Sequence, residues 1–234
     1  MDKKCNVKIV FLFLSIFFSS FFYNTLVSYY KPHTTGITFV IHGVDINLVQ
    51  GDIVHQYDVD VMVNPANQYV KQGGGACSAI LSVAGTPFEA ACIRALNSFK
   101  ERKASVGSVV LTDGCDLDPD IIHVVTPNFN STNFVQKSLL FDDIGKNLLE
   151  KTYFNILSLA IDKGFKKIAM PFLSGGNFCR VPSDRGELAA IALESVLHFC
   201  KSKVKCGTLQ EVRFVLYNTE DFELFAKELD NLVG

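Results

Sequence analysis

The chain has 234 residues, 48% of them hydrophobic, and a formal net charge of −2. That length fits one domain with an appendage, and the apolar content is enough for its core. The near-neutral charge argues against a domain whose main task is neutralising nucleic-acid phosphates, so a nucleic-acid partner is not expected. Seven cysteines, at 5, 77, 92, 115, 179, 200 and 206, form no C-x-x-C and have no histidine cluster beside them. Neither a zinc site nor a disulfide framework is signalled, and the cysteines read as small buried hydrophobes. No metal or cofactor is expected.

In chain order, Lys3, Lys4 and Lys8 precede an uncharged apolar run over residues 9–30, which Lys31-Pro32 ends. A basic start followed by about 20 apolar residues is the pattern of a signal peptide or signal-anchor helix. Tyr29 and Tyr30 fit an interfacial aromatic belt, and no A-x-A-like cleavage pattern is present. A retained anchor is therefore expected over residues 1–31, with a linker at 32–36 and one domain over 37–234. The lysine bias places the domain on the non-cytoplasmic side of a membrane, or outside the cell if the leader is cleaved.

Residues 37–50 read as one or two strands broken at Gly43, and 59–64 as a buried valine-rich strand stopped by Pro65. Gly73, Gly74 and Gly75 lead into a helix over about 76–85. Thr86-Pro87 predicts a cap and first turn for a helix through about residue 102. Strands are expected at 107–112, 121–127, 166–173 and 211–218. Helices are expected at 138–163, ended by Gly164, then after a Ser183 or Asp184 cap, and finally from a Thr219 cap to about Val233. This alternation predicts a three-layer α/β/α sandwich with a mixed, largely parallel sheet, preceded by one hydrophobic N-terminal helix. Ligands of such folds sit at the carboxyl ends of the strands, so the loops at 64–75, 127–130, 174–178 and 217–218 should share one rim.

Two of those loops carry glycines. A diphosphate needs several backbone N–H groups aimed at it, and glycine permits both close approach and positive φ. Gly73-x-Gly75-x-x-Ser78 is only a near match to a dinucleotide fingerprint, and no G-K-[ST] follows. Taken singly, each neighbouring residue has an ordinary reading. Asp52 after Gly51 suits a turn, Asn64 and Asn67 around Pro65 can bond their own loop, and Phe178 and Tyr217 can be core aromatics. His123, inside an apolar strand, reads as a satisfied core histidine rather than a catalyst. Asn130-Ser131-Thr132 is a glycosylation sequon, meaningful only in a secretory setting.

The combination says more. Val49-Gln50-Gly51-Asp52-Ile53, Val63-Asn64-Pro65-Ala66-Asn67, Gly73-Gly74-Gly75, His123-Val124-Val125-Thr126-Pro127-Asn128 and Pro171-Phe172-Leu173-Ser174-Gly175-Gly176-Asn177-Phe178 follow one another in register. Together they resemble the macrodomain family over residues 37–234, with the stretches at 67–75 and 123–128 most like its coronavirus branch. The resemblance implies that the ligand is ADP-ribose, free or attached to a mono-ADP-ribosylated protein. It implies that Asp52 accepts from the adenine amino group with Ile53 beside it, that Tyr217 stands against the adenine, and that Asn67 contacts the distal ribose, with Asn64 and Asn218 as further ligand-binding residues. The loops of Gly73, Gly74, Gly75 and of Ser174, Gly175, Gly176 would hold the phosphates, Phe178 would pack on the distal ribose, and Asn177 is a further ligand-binding residue.

Many macrodomains hydrolyse ADP-ribosyl bonds, and in one large branch an aspartate after the glycines positions water. Here Cys77 stands at that place, and a thiol is a weak substitute for a carboxylate. In the coronavirus branch, substrate phosphate and the asparagine matching Asn67 are thought to position water instead, which makes Asn67 the candidate catalytic residue. Cys179, where the family commonly has glycine, is expected to narrow the distal-ribose pocket, and Gln72 stands where that branch often has histidine. The expected function is ADP-ribose binding with removal of mono-ADP-ribose from proteins. A non-catalytic reader and a membrane-anchored interaction domain without ligand are the alternatives.

Overall fold

The computed structural model describes residues 31–33, 36–71, 73–130, 143–201 and 207–233. The apolar run at 9–30, Gln72 and two residues of the sequon lie outside them. Among the described residues no single helix is long and apolar enough to cross a membrane.

A hairpin opens the sheet. Strands β2 (Gly36–Ile41) and β3 (Val44–Gln50) pair antiparallel across His42 and Gly43. Both turn residues have positive φ, 50° and 85°, as a tight two-residue hairpin turn requires. Lys31–His33, at the junction of the expected anchor and linker, forms β1 along the outer edge of β2. The remaining strands are β4 (Val61–Ala66), β5 (Val109–Thr112), β6 (Asp120–Val125), β7 (Lys167–Pro171) and β8 (Glu211–Leu216). They form one sheet in the order β1-β2-β3-β8-β7-β4-β6-β5. The central pairings are parallel and both outer ends are antiparallel. The sheet is therefore mixed, with a parallel centre, as expected.

Alternation along the strands builds two cores. Val61, Val63, Ile122, Val124, Ile168, Met170, Val212 and Phe214 face one side. They pack under helices α3 (Asp143–Asp162), α4 (Arg185–Lys201) and α5 (Thr219–Val233). Met62, Ala66, Ile121, Val125, Ala169 and Val215 face the other, under α1 (Ala76–Ala84) and α2 (Thr86–Ala95). A period of two on strands buried on both faces is what gives three layers.

Several boundaries differ from expectation. Strand β4 runs through Pro65 to Ala66 rather than stopping before it. A proline is tolerated inside a sheet where a neighbour has withdrawn, and β7 pairs with β4 only at Val61 and Met62. Helix α2 ends at Ala95 and gives way to short 3-10 turns, with Glu101 and Arg102 at positive φ, and its N-cap is Gly85 rather than Thr86. Helix α5 is capped by Asn218, whose Oδ1 accepts the Asp221 N–H at 2.7 Å, and not by Thr219. A 3-10 turn over Pro182–Asp184 precedes α4.

One polar strip lies inside the core under α1 and α2. Asn64 Nδ2 donates to His123 Nδ1 at 3.0 Å, and His123 Nε2 lies 2.9 Å from Thr112 Oγ1. His123 is 1% exposed, stacked near Phe88, and burial pulls its pKa from 6.5 to about 4. It is the satisfied core histidine that its apolar strand implied.

The buried neutral imidazole has a consequence for stability. Its folded pKa lies below its unfolded one, so its contribution is complete above pH 6.5 and is lost as pH falls through about 4. That shift corresponds to about 3 kcal/mol. Urea unfolding of the wild type should lose about that much between pH 6.5 and 4, and His123→Gln should flatten the profile in this window. An unchanged slope in the variant would show that another group carries the loss.

Candidate functional site

Strands β4 and β7 part at their carboxyl ends, and a cleft opens there. It consists of two adjoining cavities of about 380 Å³ each. Gly75, Ala76 and Pro171 line both and form the waist between them. The first cavity is walled by Gly51, Asp52, Ile53, Ala79, Val215 and Tyr217. The second is walled by Pro65, Asn67, Gly73, Gly74, Thr126, Phe172, Ser174, Gly176, Asn177 and Phe178.

In the first cavity Asp52 has two tasks available. Its Oδ1 accepts the Val54 N–H at 3.2 Å and caps a 3-10 turn over Ile53–His55. A carboxylate has a second oxygen, so the turn role and an acceptor role are compatible. Ile53 is 4% exposed and supplies an apolar wall, while Tyr217 is 76% exposed at the end of β8. That much exposure identifies Tyr217 as a surface aromatic, not a core one. Asn218, expected among the ligand-binding residues, lines neither cavity; its Oδ1 is engaged in capping α5.

The waist is built from backbone. Gly75 has φ 57° and ψ −135°, a conformation a residue with a Cβ adopts only with strain. It stands at the N-cap of α1 with no side-chain cap, so the first N–H groups of that helix face the cleft unclaimed by a side chain. Across from it, a Cβ on Gly175 would meet the Phe172 ring at 2.3 Å. Gly175 is itself buried behind the cleft wall, and its neighbour Ser174 carries the strain with φ 60°. Ser174 Oγ donates to the Pro127 carbonyl at 2.8 Å and fixes this loop to the one after β6. A Cβ on Gly74 would come 3.2 Å from Asn177 Nδ2, so the two loops face each other closely. Only the first loop abuts a helix N-terminus directly; α4 begins several residues after the second.

The second cavity differs most from expectation. Asn67 lines it, but its side chain is occupied. Oδ1 accepts the Tyr69 and Lys71 N–H groups at 3.0 and 3.3 Å, and Nδ2 donates to the Lys71 carbonyl at 2.9 Å. One amide hydrogen remains for a ligand. This Asx-type bonding holds a loop in which the β-branched Val70 sits at φ 49°. Asn64 is 0% exposed, bonded to His123 and lines neither cavity. Cys77 is 2% exposed beneath Gly73, and burial pushes its thiol pKa up, the reverse of what a nucleophile requires. Cys179 does not narrow the pocket. It packs against the core under α3, α4 and α5, and its thiol donates to the Val181 carbonyl at 3.1 Å.

Thr126 and Pro171 stand within the motifs without being marked there as site residues, and Ala76 follows Gly75 unmarked. Thr126 is 2% exposed, lines the second cavity, and its Oγ1 has no hydrogen-bond partner among the described residues. A buried hydroxyl without a partner costs about 1–3 kcal/mol and calls for an explanation. Among the described residues, none that lines the second cavity has an ionisable side chain.

The sequence and the fold both match known proteins. A macro domain family model matches residues 63–189. A macro domain-containing protein of Streptomyces nogalater is 36% identical over 186 residues, covering 79% of this chain and 91% of its own. An O-acetyl-ADP-ribose deacetylase of Cronobacter turicensis is 31% identical over 185 residues, covering 79% and 95%. Among solved structures, the Oceanobacillus iheyensis macrodomain with ADP aligns at TM-score 0.73 and 29% identity, over 86% of this chain and 98% of that one. The Trypanosoma brucei macrodomain in complex with ADP-ribose aligns at TM-score 0.63 and 25% identity, over 79% and 68%. This chain belongs to the macro domain family.

Proposed function

We propose that the protein binds ADP-ribose in this cleft and removes mono-ADP-ribose from modified proteins. The observation that carries the reading is the shape of the cleft: an apolar cavity with one carboxylate, a waist of glycine backbone, and a second polar cavity beyond it. Adenine fits the first, with its amino group towards Asp52 and a face towards Tyr217. The diphosphate fits the waist, between the α1 N-terminus and the loop of Ser174, Gly175 and Gly176. The distal ribose then enters the second cavity, beside Asn67 and Phe178. Relatives crystallised with ADP and ADP-ribose support this choice of ligand. Those relatives are bacterial and trypanosomal, so the coronavirus-like placement rests on the stretches at 67–75 and 123–128 alone.

With no ionisable side chain among the described residues lining the second cavity, hydrolysis on this reading relies on the substrate. Its phosphate and the remaining Asn67 amide hydrogen hold a water against C1″ of the distal ribose, and the bond to the acceptor side chain breaks as water adds. The same absence favours a second reading, a reader that binds without turnover. The deacetylase name carried by the two Cronobacter relatives extends the substrate class to O-acetyl-ADP-ribose. We further propose that residues 9–30 anchor the domain to a membrane, on the non-cytoplasmic side, or serve as a cleaved leader.

Calorimetry should detect ADP-ribose binding, and Asp52→Ala should weaken it about tenfold or more, the loss of one charge-assisted hydrogen bond. The analogue with hypoxanthine in place of adenine should bind the wild type equally weakly and lose nothing further in the variant. Equal affinity of wild type and variant for ADP-ribose would remove Asp52 from the site.

Turnover of a mono-ADP-ribosylated protein separates enzyme from reader. Asn67→Ala should abolish it, and Cys77→Asp should not rescue it, because that position is buried beneath Gly73. A faster Cys77→Asp enzyme would show that the missing carboxylate matters. No turnover by the wild type would leave the reader.

Fractionation with protease protection should place the domain with membranes and in the protected, non-cytoplasmic compartment. A soluble, intact, cytosolic protein would contradict the anchor.

A further inference from the structure

A second concavity lies just outside the cleft. Its volume is about 320 Å³, and Gln68, Ala104, Ser105, Val106 and Val125 wall it together with Lys100, Glu101 and Lys103. The backbone turns sharply here, with Glu101 at φ 58° and Arg102 at φ 52°. That turn brings Lys100 and Lys103 onto one hollow, with Arg102 exposed between them. None of these three cations has an ion-pair partner among the described residues. In a chain of net charge −2 this is a local reversal of sign, and it surrounds a cavity, not a flat face.

Its position matters more than its charge. The Ala104 N–H donates to the Gln68 carbonyl at 2.9 Å, which ties the basic turn to the loop that starts at Asn67. Asn67 lines the second cavity of the cleft, and Gln68, the next residue, lines this hollow. Thr126 and Val125 divide in the same way. Sequence neighbours, Asn67 with Gln68 and Val125 with Thr126, therefore line the two concavities in turn, and they form the wall between them. That wall stands at the end of the cleft where the distal ribose is placed, which is where a modified protein would emerge.

We propose that this basic hollow receives an acidic side chain of the ADP-ribosylated protein, close in sequence to the modified residue. The inference rests on the ADP-ribose reading of the cleft and names the acceptor class: chains with Asp or Glu flanking the modification. Gln68 and Ser105 offer donors and acceptors to a peptide backbone beside the cations. A nucleic-acid acceptor fits less well, since Glu101 lies in the same hollow and a phosphate backbone needs a longer basic track.

The test measures binding by the full-length protein, so that it does not depend on turnover. Two mono-ADP-ribosylated peptides are compared, one with Asp and Glu flanks and one with Asn and Gln flanks. Exposed ion pairs are individually weak, so the acidic peptide should bind about three- to tenfold tighter at low salt, with the advantage shrinking as salt rises. The double variant Lys100→Gln, Lys103→Gln should erase that advantage and leave the affinity for free ADP-ribose unchanged. If free ADP-ribose binds but the acidic flanks bring no gain, this inference is overturned alone. If free ADP-ribose fails to bind, the cleft reading falls and the inference with it. An ADP-ribosylated oligonucleotide gaining as much as the acidic peptide would also overturn it, in favour of phosphate.

Discussion

Strands β4 and β7 run side by side for only two residue pairs, Val61 with Ile168 and Met62 with Ala169, before they part. The rest of the site depends on that parting. It leaves a gap at the carboxyl ends of central parallel strands, where loops from both sides can converge on a ligand. Prolines mark both sides of it: Pro65 within β4 lines the second cavity, and Pro171 at the end of β7 lines both. A proline supplies no N–H to a neighbouring strand, so each is at ease where pairing across the β4–β7 gap has ceased, although each stays in register with its other neighbour. The hydrophobic cores on the two faces hold the strands in this splayed arrangement, since each strand is anchored through side chains above and below.

Into the gap the chain inserts two backbone surfaces of different construction. At Gly75 the constraint is torsional, because φ is positive at the start of α1. At Gly175 it is spatial, because the Phe172 ring occupies the place of a Cβ. The strained Ser174 and Val70 lie in the same two loops. Backbone strain of this kind persists where surrounding structure over-determines it, here through the Ser174–Pro127 and Asn67–Lys71 bonds. The unpartnered Thr126 hydroxyl belongs to the same picture. Because it lines the second cavity, that hydroxyl is placed where a polar ligand would relieve its cost.

Much of this was legible in the sequence. Apolar alternation located the strands, and glycines after strands located the loops. The motif order joined Asp52 to Tyr217 across most of the chain. What sequence could not convey was which way side chains turn. Asn64 and Asn67 flank the same proline, yet one is sealed against His123 and the other lines the cleft, because Asn64 lies within β4 on the face under α1 and α2 while Asn67 follows the strand in the loop that borders the cleft. Cys77 and Cys179 stand at places where the family pattern puts other residues, and both turn into the protein. Asn218 follows an aromatic that fronts the cleft, but its amide competes for a helix cap and wins it. Thr126 stands inside one of the motifs, but nothing in the motif marks its hydroxyl, since its missing partner exists only in three dimensions.

The central claim is that the parted strands and their two glycine loops form one diphosphate cradle. A crystal structure of the domain with ADP-ribose tests it most directly. The account predicts phosphate oxygens within hydrogen-bond distance of N–H groups at the α1 N-terminus and in the Ser174-Gly175-Gly176 loop, with adenine beside Asp52 and Tyr217. A cleft empty at saturating ADP-ribose, or phosphates held anywhere else on the molecule, would contradict it.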